Sequence, residues 1–352
     1  MRQPAHGGNL AWAAALAGCP PDAILDFSAS ISPLGPPNSA IAAIKSQIGN
    51  LKHYPDPNYS ELRLALSHFH KLPSEWILPG NGSAELLTLI GRELAQLAAT
   101  ILITPAFGDY YRTLAANNAK MLECPLSLVS GHWSLVSGHW SFAKDKGLLL
   151  NNPHNPTGKL FTRDSILPYL EQFALVVVDE AFMDFVPPNE EQSLIPVVQE
   201  YPNLVVLRSL TKFYSLPGLR LGYAIAHPDC LAKWQLWRDP WPVNTLAAAA
   251  AIAALQDTEF QQQTWAWLPP ARNQLFQGLA EIPGLQPQAS AANFLLVESQ
   301  ESTSQLQQQL LKYHQILIRD CLSFKELGDR FFRVAVREES DNQRLLTALK
   351  ES

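Results

Sequence analysis

The sequence is poor in charge, poor in cysteine and without a long apolar run. Of its 352 residues only 16% are charged, 26 basic and 32 acidic, which leaves a net charge of −6. No basic block of the kind that tracks a phosphate backbone is present, which excludes nucleic acid as a partner. Low charge beside 47% hydrophobic residues also excludes a disordered chain. The four cysteines, Cys19, Cys124, Cys230 and Cys321, lie far apart, with no CxxC and no Cys/His spacing suited to a metal. That pattern predicts reduced thiols, a cytoplasmic location and no metal site. The longest purely apolar run, LAAAAAIAAL at 246–255, is about half of what a spanning helix needs and predicts a buried helix, not a membrane segment. Leu16-Ala17-Gly18-Cys19 imitates a lipoprotein cleavage site, but a lone Arg2 precedes it and the apolar stretch is short. A helix that stops at Gly18, followed by Pro20-Pro21, explains the same letters.

What is present is a rhythm of strands and helices. Apolar runs recur at helix-sized intervals: ATILITP at 99–105, GLLLNNP at 147–153, ALVVVDEAF at 174–182 and NLVVLRSL at 203–210. Helical stretches at 163–173 and 190–200 fall between the last three. Continuous β-branched runs alternating with helices predict an α/β fold, a mostly parallel sheet with helices on both faces. The texture changes after Trp241-Pro242 to an Ala-rich helix, a polar helix over 256–280 and short strands near 293–298 and 331–337. The chain also exceeds the roughly 250–300 residues at which one core usually divides. The expected division is an N-terminal arm (1–38), a large α/β domain (39–243) and a small α+β domain (244–352). The heptad SLVSGHW, at 127–133 and again at 134–140, predicts a duplicated loop or hairpin without function.

Three polar signals end three of these strands: NNPHNPTG at 151–158, VVDEAF at 177–182 and RSLTKFYSLPGLRLGY at 208–223. In an open parallel sheet, ligands bind outside the carboxyl ends of the strands, so these signals converge. Lys212 is then a candidate Schiff-base lysine. Asp179 ends an apolar strand, where a buried carboxylate needs a cationic partner such as a protonated pyridine nitrogen. Asn155 can donate to a phenolate oxygen, and Arg220 with the Ser209 hydroxyl can hold a phosphate. Upstream, GNGSAELLTLIGREL (80–94) places Gly80, Gly82 and Ser83 before an amphipathic helix, whose free N–H groups cradle phosphate. Phe107 or Tyr110 can stack on a cofactor ring. Together, at the ends of consecutive βα units, these residues predict a pyridoxal phosphate pocket.

These motifs resemble the fold-type-I pyridoxal-phosphate enzymes, aminotransferase class I/II, over nearly the whole chain. The resemblance implies that Lys212 carries the cofactor, Asp179 pairs with its ring nitrogen and Asn155 bonds its ring hydroxyl. It also implies a homodimer with shared active sites, in which Tyr54 of KHYPDPNY reaches the partner subunit's cofactor phosphate. Two branches of that family compete, histidinol-phosphate aminotransferases and threonine-phosphate decarboxylases. HGGN (6–9), LDFSASISPLGPP (25–37), DEAFMDFVP (179–187), ILIRDC (316–321) and FFRVAVR (331–337) resemble the decarboxylases more. Phe182 stands where the other branch often has a tyrosine. By the same resemblance His6, Gly7, Asn155, Arg319 and Arg333 contact a small phosphorylated amino acid, whose two anions suit guanidinium forks. Ser30 contributes to that pocket where the decarboxylase pattern has an asparagine.

Overall fold

The computed structural model describes residues 7–129, 132–134 and 143–352. Its central element is a seven-stranded sheet. Across the sheet the strands run Ile77–Gly80, Gly222–Ala226, Leu204–Ser209, Leu175–Asp179, Lys146–Asn151, Ala99–Thr104 and Met121–Pro125. Gly222–Ala226 is antiparallel to both of its neighbours, and every other pairing is parallel. Side chains of the inner strands alternate between two apolar layers. Ile101, Leu148, Val176, Val178, Leu204 and Val206 enter one, while Leu102, Leu149, Val177, Val205 and Leu207 enter the other. Both faces are covered, which is why these strands read as unbroken apolar runs and not as alternations.

A second sheet of four short antiparallel strands is built from the C-terminal third, in the order Leu285–Pro287, Phe294–Ser299, Phe331–Ala335 and Arg319–Asp320. The helix Thr245–Gln256 packs against Asn38–Gln47, and the helix Thr258–Ala280 packs against Glu339–Glu351. Near the amino terminus, Leu10–Ala17 is a short helix closed by Gly18 in the left-handed conformation (φ 70°), the stop chemistry that the sequence predicts. Leu25–Asp26 then pairs in parallel with Ile316–Leu317, which ties the N-terminal segment to the smaller sheet.

One expectation fails. The stretch 190–200 is not a helix and holds only the short turn Ile195–Val197. Pro196 has no N–H to give, and the Glu180 carboxylate takes the Ser193 hydroxyl and the Leu194 N–H, so the local backbone is held by a side chain instead. Of the duplicated heptad, Ser127–Val129 and His132–Ser134 form an antiparallel hairpin, and the rest of the second copy lies outside the described residues. Among the described residues no helix is long and apolar enough to cross a membrane.

Candidate active site

A cavity of about 230 Å³ opens where the carboxyl ends of the large sheet face the smaller sheet. The lining contains Gly7, Ser30, Ser83, Tyr110, Asn155, Asp179, Ser209, Lys212, Arg220, Arg319 and Arg333, so residues more than 300 positions apart meet in one wall. Gly82 lies directly behind it, with its missing side chain leaving room for the Arg220 guanidinium: a Cβ there would stand 2.8 Å from Arg220 Nη2, and φ is +74°. One predicted residue stands apart from this cavity. Tyr54 is 79% exposed and stacks on Trp241 at 4.5 Å, away from the cavity. His6 lies outside the described residues.

Each group at the large-sheet end is set by its strand. Asp179 is the last residue of Leu175–Asp179 and is buried. Its Oδ2 accepts the Tyr110 hydroxyl at 2.8 Å and its Oδ1 the Ala181 N–H at 3.0 Å. Burial raises its pKa, an effect that these two bonds and the nearby Lys212 oppose. The Tyr110 hydroxyl is pushed well above its usual range by its own burial and by the Asp179 charge. Lys212 follows Leu204–Ser209 in the chain, and burial together with the charges of Arg333 and Arg220 lowers its pKa to about 8. A lysine in that state offers about a tenth of its amine neutral and nucleophilic at pH 7, far more than an ordinary lysine. Ser209 shares its hydroxyl with Thr211 at 2.7 Å, and the start of the helix Gly82–Leu94 faces the cavity through Ser83 and Ala84.

The opposite wall carries positive charge. Arg319 and Arg333 occupy directly opposed positions of two antiparallel strands, and both are buried. Arg319 donates to Ser323 Oγ at 2.6 Å and lies 3.7 Å from Asp320. Arg333 donates to the Asn155 side-chain oxygen and to the Ser28 carbonyl at 3.3 Å, and its guanidinium sits 4.8 Å above the Phe294 ring. Its Nε finds no partner among the described residues, and burial followed by the Arg319 charge lowers its pKa to about 10. Phe182 closes this wall edge-on against Phe294 at 5.0 Å. Like charges opposed across a sheet repel, so an anion placed between them relieves both.

Sequence reasoning missed several participants. Ser28, Thr211 and Ser323 line the site, and no motif distinguishes them. Arg208 did carry a signal, as a charge inside an apolar strand. It is 2% exposed and is surrounded by Glu180 at 3.0 Å, Asp184 at 2.5 Å and Glu191 at 2.6 Å. A cation in that setting requires partners. Burial raises Glu180 to about 7 against the pull of Arg208.

The arrangement fits one kind of cofactor: a flat, phosphorylated ring with a basic nitrogen. Asp179 suits the nitrogen, Tyr110 packs beside it, Lys212 can bond a carbonyl carbon, and Arg220 with the Gly82–Ser83 helix start suits the phosphate. Residues 22–349 match the family described as Aminotransferase class I and II. The chain belongs to that family. It is 40% identical to a threonine-phosphate decarboxylase of Salmonella typhimurium over 98% of this chain and 96% of that protein. It is 33% identical to a histidinol-phosphate aminotransferase of Symbiobacterium thermophilum over 91% of this chain and 88% of that one. Its fold also matches a histidinol-phosphate aminotransferase from Sinorhizobium meliloti solved with pyridoxal-5'-phosphate. The TM-score there is 0.87 at 23% identity, covering 98% of this chain and 94% of that one. Membership makes the protein a pyridoxal-phosphate-dependent enzyme, and the cavity is shaped accordingly.

Proposed function

We propose that this enzyme decarboxylates O-phospho-L-threonine to (R)-1-amino-2-propanol O-phosphate and CO2, the step that supplies the aminopropanol linker of cobalamin. The observation that carries this reading is the opposed pair Arg319 and Arg333, two buried guanidinium groups on one wall of a pocket of about 230 Å³. They suit a compact substrate that carries a carboxylate and a phosphate at once. The 40% identity with the Salmonella typhimurium decarboxylase over nearly the full length supports it further.

In this reading Lys212 anchors the cofactor, Asp179 holds the ring nitrogen protonated, and Ser209, Ser83, Gly82 and Arg220 hold its phosphate. Bound pyridoxal phosphate supplies the sink for the electron pair that is left when CO2 departs. Arg319, Arg333 and Asn155 orient the substrate so that the bond to its carboxylate is the one that breaks. Gly7 and Ser30 line the pocket on its amino-terminal side, and Phe182 keeps the wall beside Arg333 apolar. Residues 39–243 form the cofactor-binding unit, 244–352 the smaller unit and 1–38 the arm, and two copies of the chain share their sites through Tyr54. Ile48, Leu51 and Tyr54, all exposed, offer apolar surface for that pairing.

A second reading, histidinol-phosphate aminotransferase, is favoured by the 33% identity with the Symbiobacterium thermophilum enzyme. One incubation separates the two. Phosphothreonine alone, without a keto acid, gives steady CO2 release over many turnovers in the first reading. Turnover only with histidinol phosphate plus 2-oxoglutarate, and no CO2, establishes the second.

A further inference from the structure

The segment that precedes the cavity wall is fixed at both edges. Phe27 donates its N–H to the Leu317 carbonyl and accepts the Ala335 N–H at its own carbonyl, each at 2.8 Å. It is therefore clamped between the chain segments that carry Arg319 and Arg333. Ser28 comes next and is 1% exposed. Its backbone N–H and its hydroxyl both donate to Asp26 Oδ1, at 2.7 and 2.6 Å. A hydroxyl has one proton, and here it goes to Asp26. The oxygen is left as an acceptor, and it takes the Gly8 N–H at 2.8 Å. The carbonyl of the same residue accepts Arg333 Nη2. Gly7 presses on that carbonyl too, since a Cβ at Gly7 would stand 2.3 Å from Ser28 O, and Gly8 has φ +81°. Arm and guanidinium thus rest on two atoms of one buried residue.

We propose that Ser28 is a positioning residue that couples seating of the arm at Gly7–Gly8 to the aim of Arg333, with Asp26 fixing the direction of its hydroxyl. The proposal deepens the functional reading above and rests on Arg333 as a ligand of the substrate anion. Removing the Ser28 hydroxyl takes away the hold on the arm and one bond to Asp26, and leaves the backbone N–H bond that fixes the turn. Removing the Asp26 carboxylate also frees the turn that presents the Ser28 carbonyl to Arg333, so its effect is the larger. An amide at position 26 still accepts both bonds and retains the coupling.

The test uses the holoenzyme as wild type, Ser28→Ala, Asp26→Ala and Asp26→Asn, with cofactor absorbance and melting temperature as controls for folding. Hydrogen exchange of the peptide spanning Gly7–Leu10 is measured without substrate, and steady-state kinetics with phosphothreonine. Ser28→Ala is expected to speed exchange in that peptide about tenfold and to raise KM about tenfold while kcat stays within about threefold. Asp26→Ala is expected to raise KM further, and Asp26→Asn to recover most of that loss. Exchange and KM both within about twofold of wild type in Ser28→Ala would overturn the coupling. A fall in melting temperature with unchanged arm exchange would overturn it as well, since that marks a role in folding alone. Asp26→Asn as damaged as Asp26→Ala would remove Asp26 from it. A wild-type enzyme that does not turn over phosphothreonine would defeat the substrate reading, while the exchange experiment still decides the coupling.

Discussion

The two ends of the cavity treat charge in opposite ways. At the carboxyl edge of the large sheet, Asp179 and Arg208 are answered from within the chain. Asp179 has Tyr110 and the Ala181 N–H, and Arg208 has Glu180, Asp184 and Glu191. At the small sheet, two guanidinium groups face the same space, and the bonds of Arg333 go to neutral oxygens of Asn155 and Ser28. Lys212 and Arg220 line the cavity at the large-sheet end. At the second end Arg319 has Asp320 at 3.7 Å, which sets two guanidinium groups against one neighbouring carboxylate. Two like charges buried side by side are costly, so in the proposed reading an anionic substrate relieves this end.

The most severe way to break this contrast is to remove the group that joins the two ends. Lys212→Ala is expected to abolish turnover and the borohydride-trapped cofactor adduct, which mass spectrometry of the reduced protein checks. An adduct on another lysine would overturn the assignment of the whole large-sheet end. Next in size is Arg333→Ala, expected to cost about 2–5 kcal/mol in kcat/KM while cofactor absorbance is unchanged, as befits the loss of a desolvated anion contact. A cost of a few tenths would make Arg333 a mere rim charge and erase the difference between the ends.

Titration sharpens the comparison at smaller amplitude. Because the Lys212 amine is held at about 8, capture of pyridoxal phosphate by the apoenzyme should accelerate as pH rises toward that value and level off above it. Stopped-flow absorbance measures this, and a rate still climbing above pH 9 would mean an ordinary lysine. The sign for stability is fixed by the same shift. Between about 8 and the ordinary 10.5 the folded chain binds fewer protons than the unfolded one, so Lys212 adds stability to the apoenzyme as pH rises through that window and costs most below it. The smallest effect is expected from Tyr110→Phe. It deletes one of two bonds to Asp179 and should lower kcat by no more than about tenfold, in keeping with the worth of one hydrogen bond.

Most of the large-sheet end could be read in the sequence, because strand ends, glycines and a lysine in a fixed order are local signals. The runs at 99–105, 147–153, 174–182 and 203–210 became strands within a residue or two of those limits, apart from the polar tails that turn into the site. The small-sheet end was less legible. Arg319 and Arg333 came from a likeness of motifs, and nothing in their spacing foretells that they stand opposite each other, since register between strands is a tertiary property. Ser28 passed unnoticed because its bonds run to an arm 20 residues upstream and to an arginine 305 residues downstream, and Asp26 because it acts through Ser28. The missing helix at 190–200 has a similar cause: its backbone answers to Glu180, a residue outside the window in which helical periodicity is judged.

Gly222 pairs with Gly80 and Ser209 in the antiparallel strand of the large sheet, and a Cβ placed on it would lie 2.7 Å from the Ser83 nitrogen and 2.8 Å from the Arg208 carbonyl. Two backbones pass there with only hydrogen between them. In a saturation library of this gene, position 222 should therefore return glycine alone, because every other codon inserts at least one carbon between the helix start that faces the cavity and the strand that ends at Ser209. The exclusion is indifferent to polarity, charge or size, and selection for a new substrate would have to work around this point.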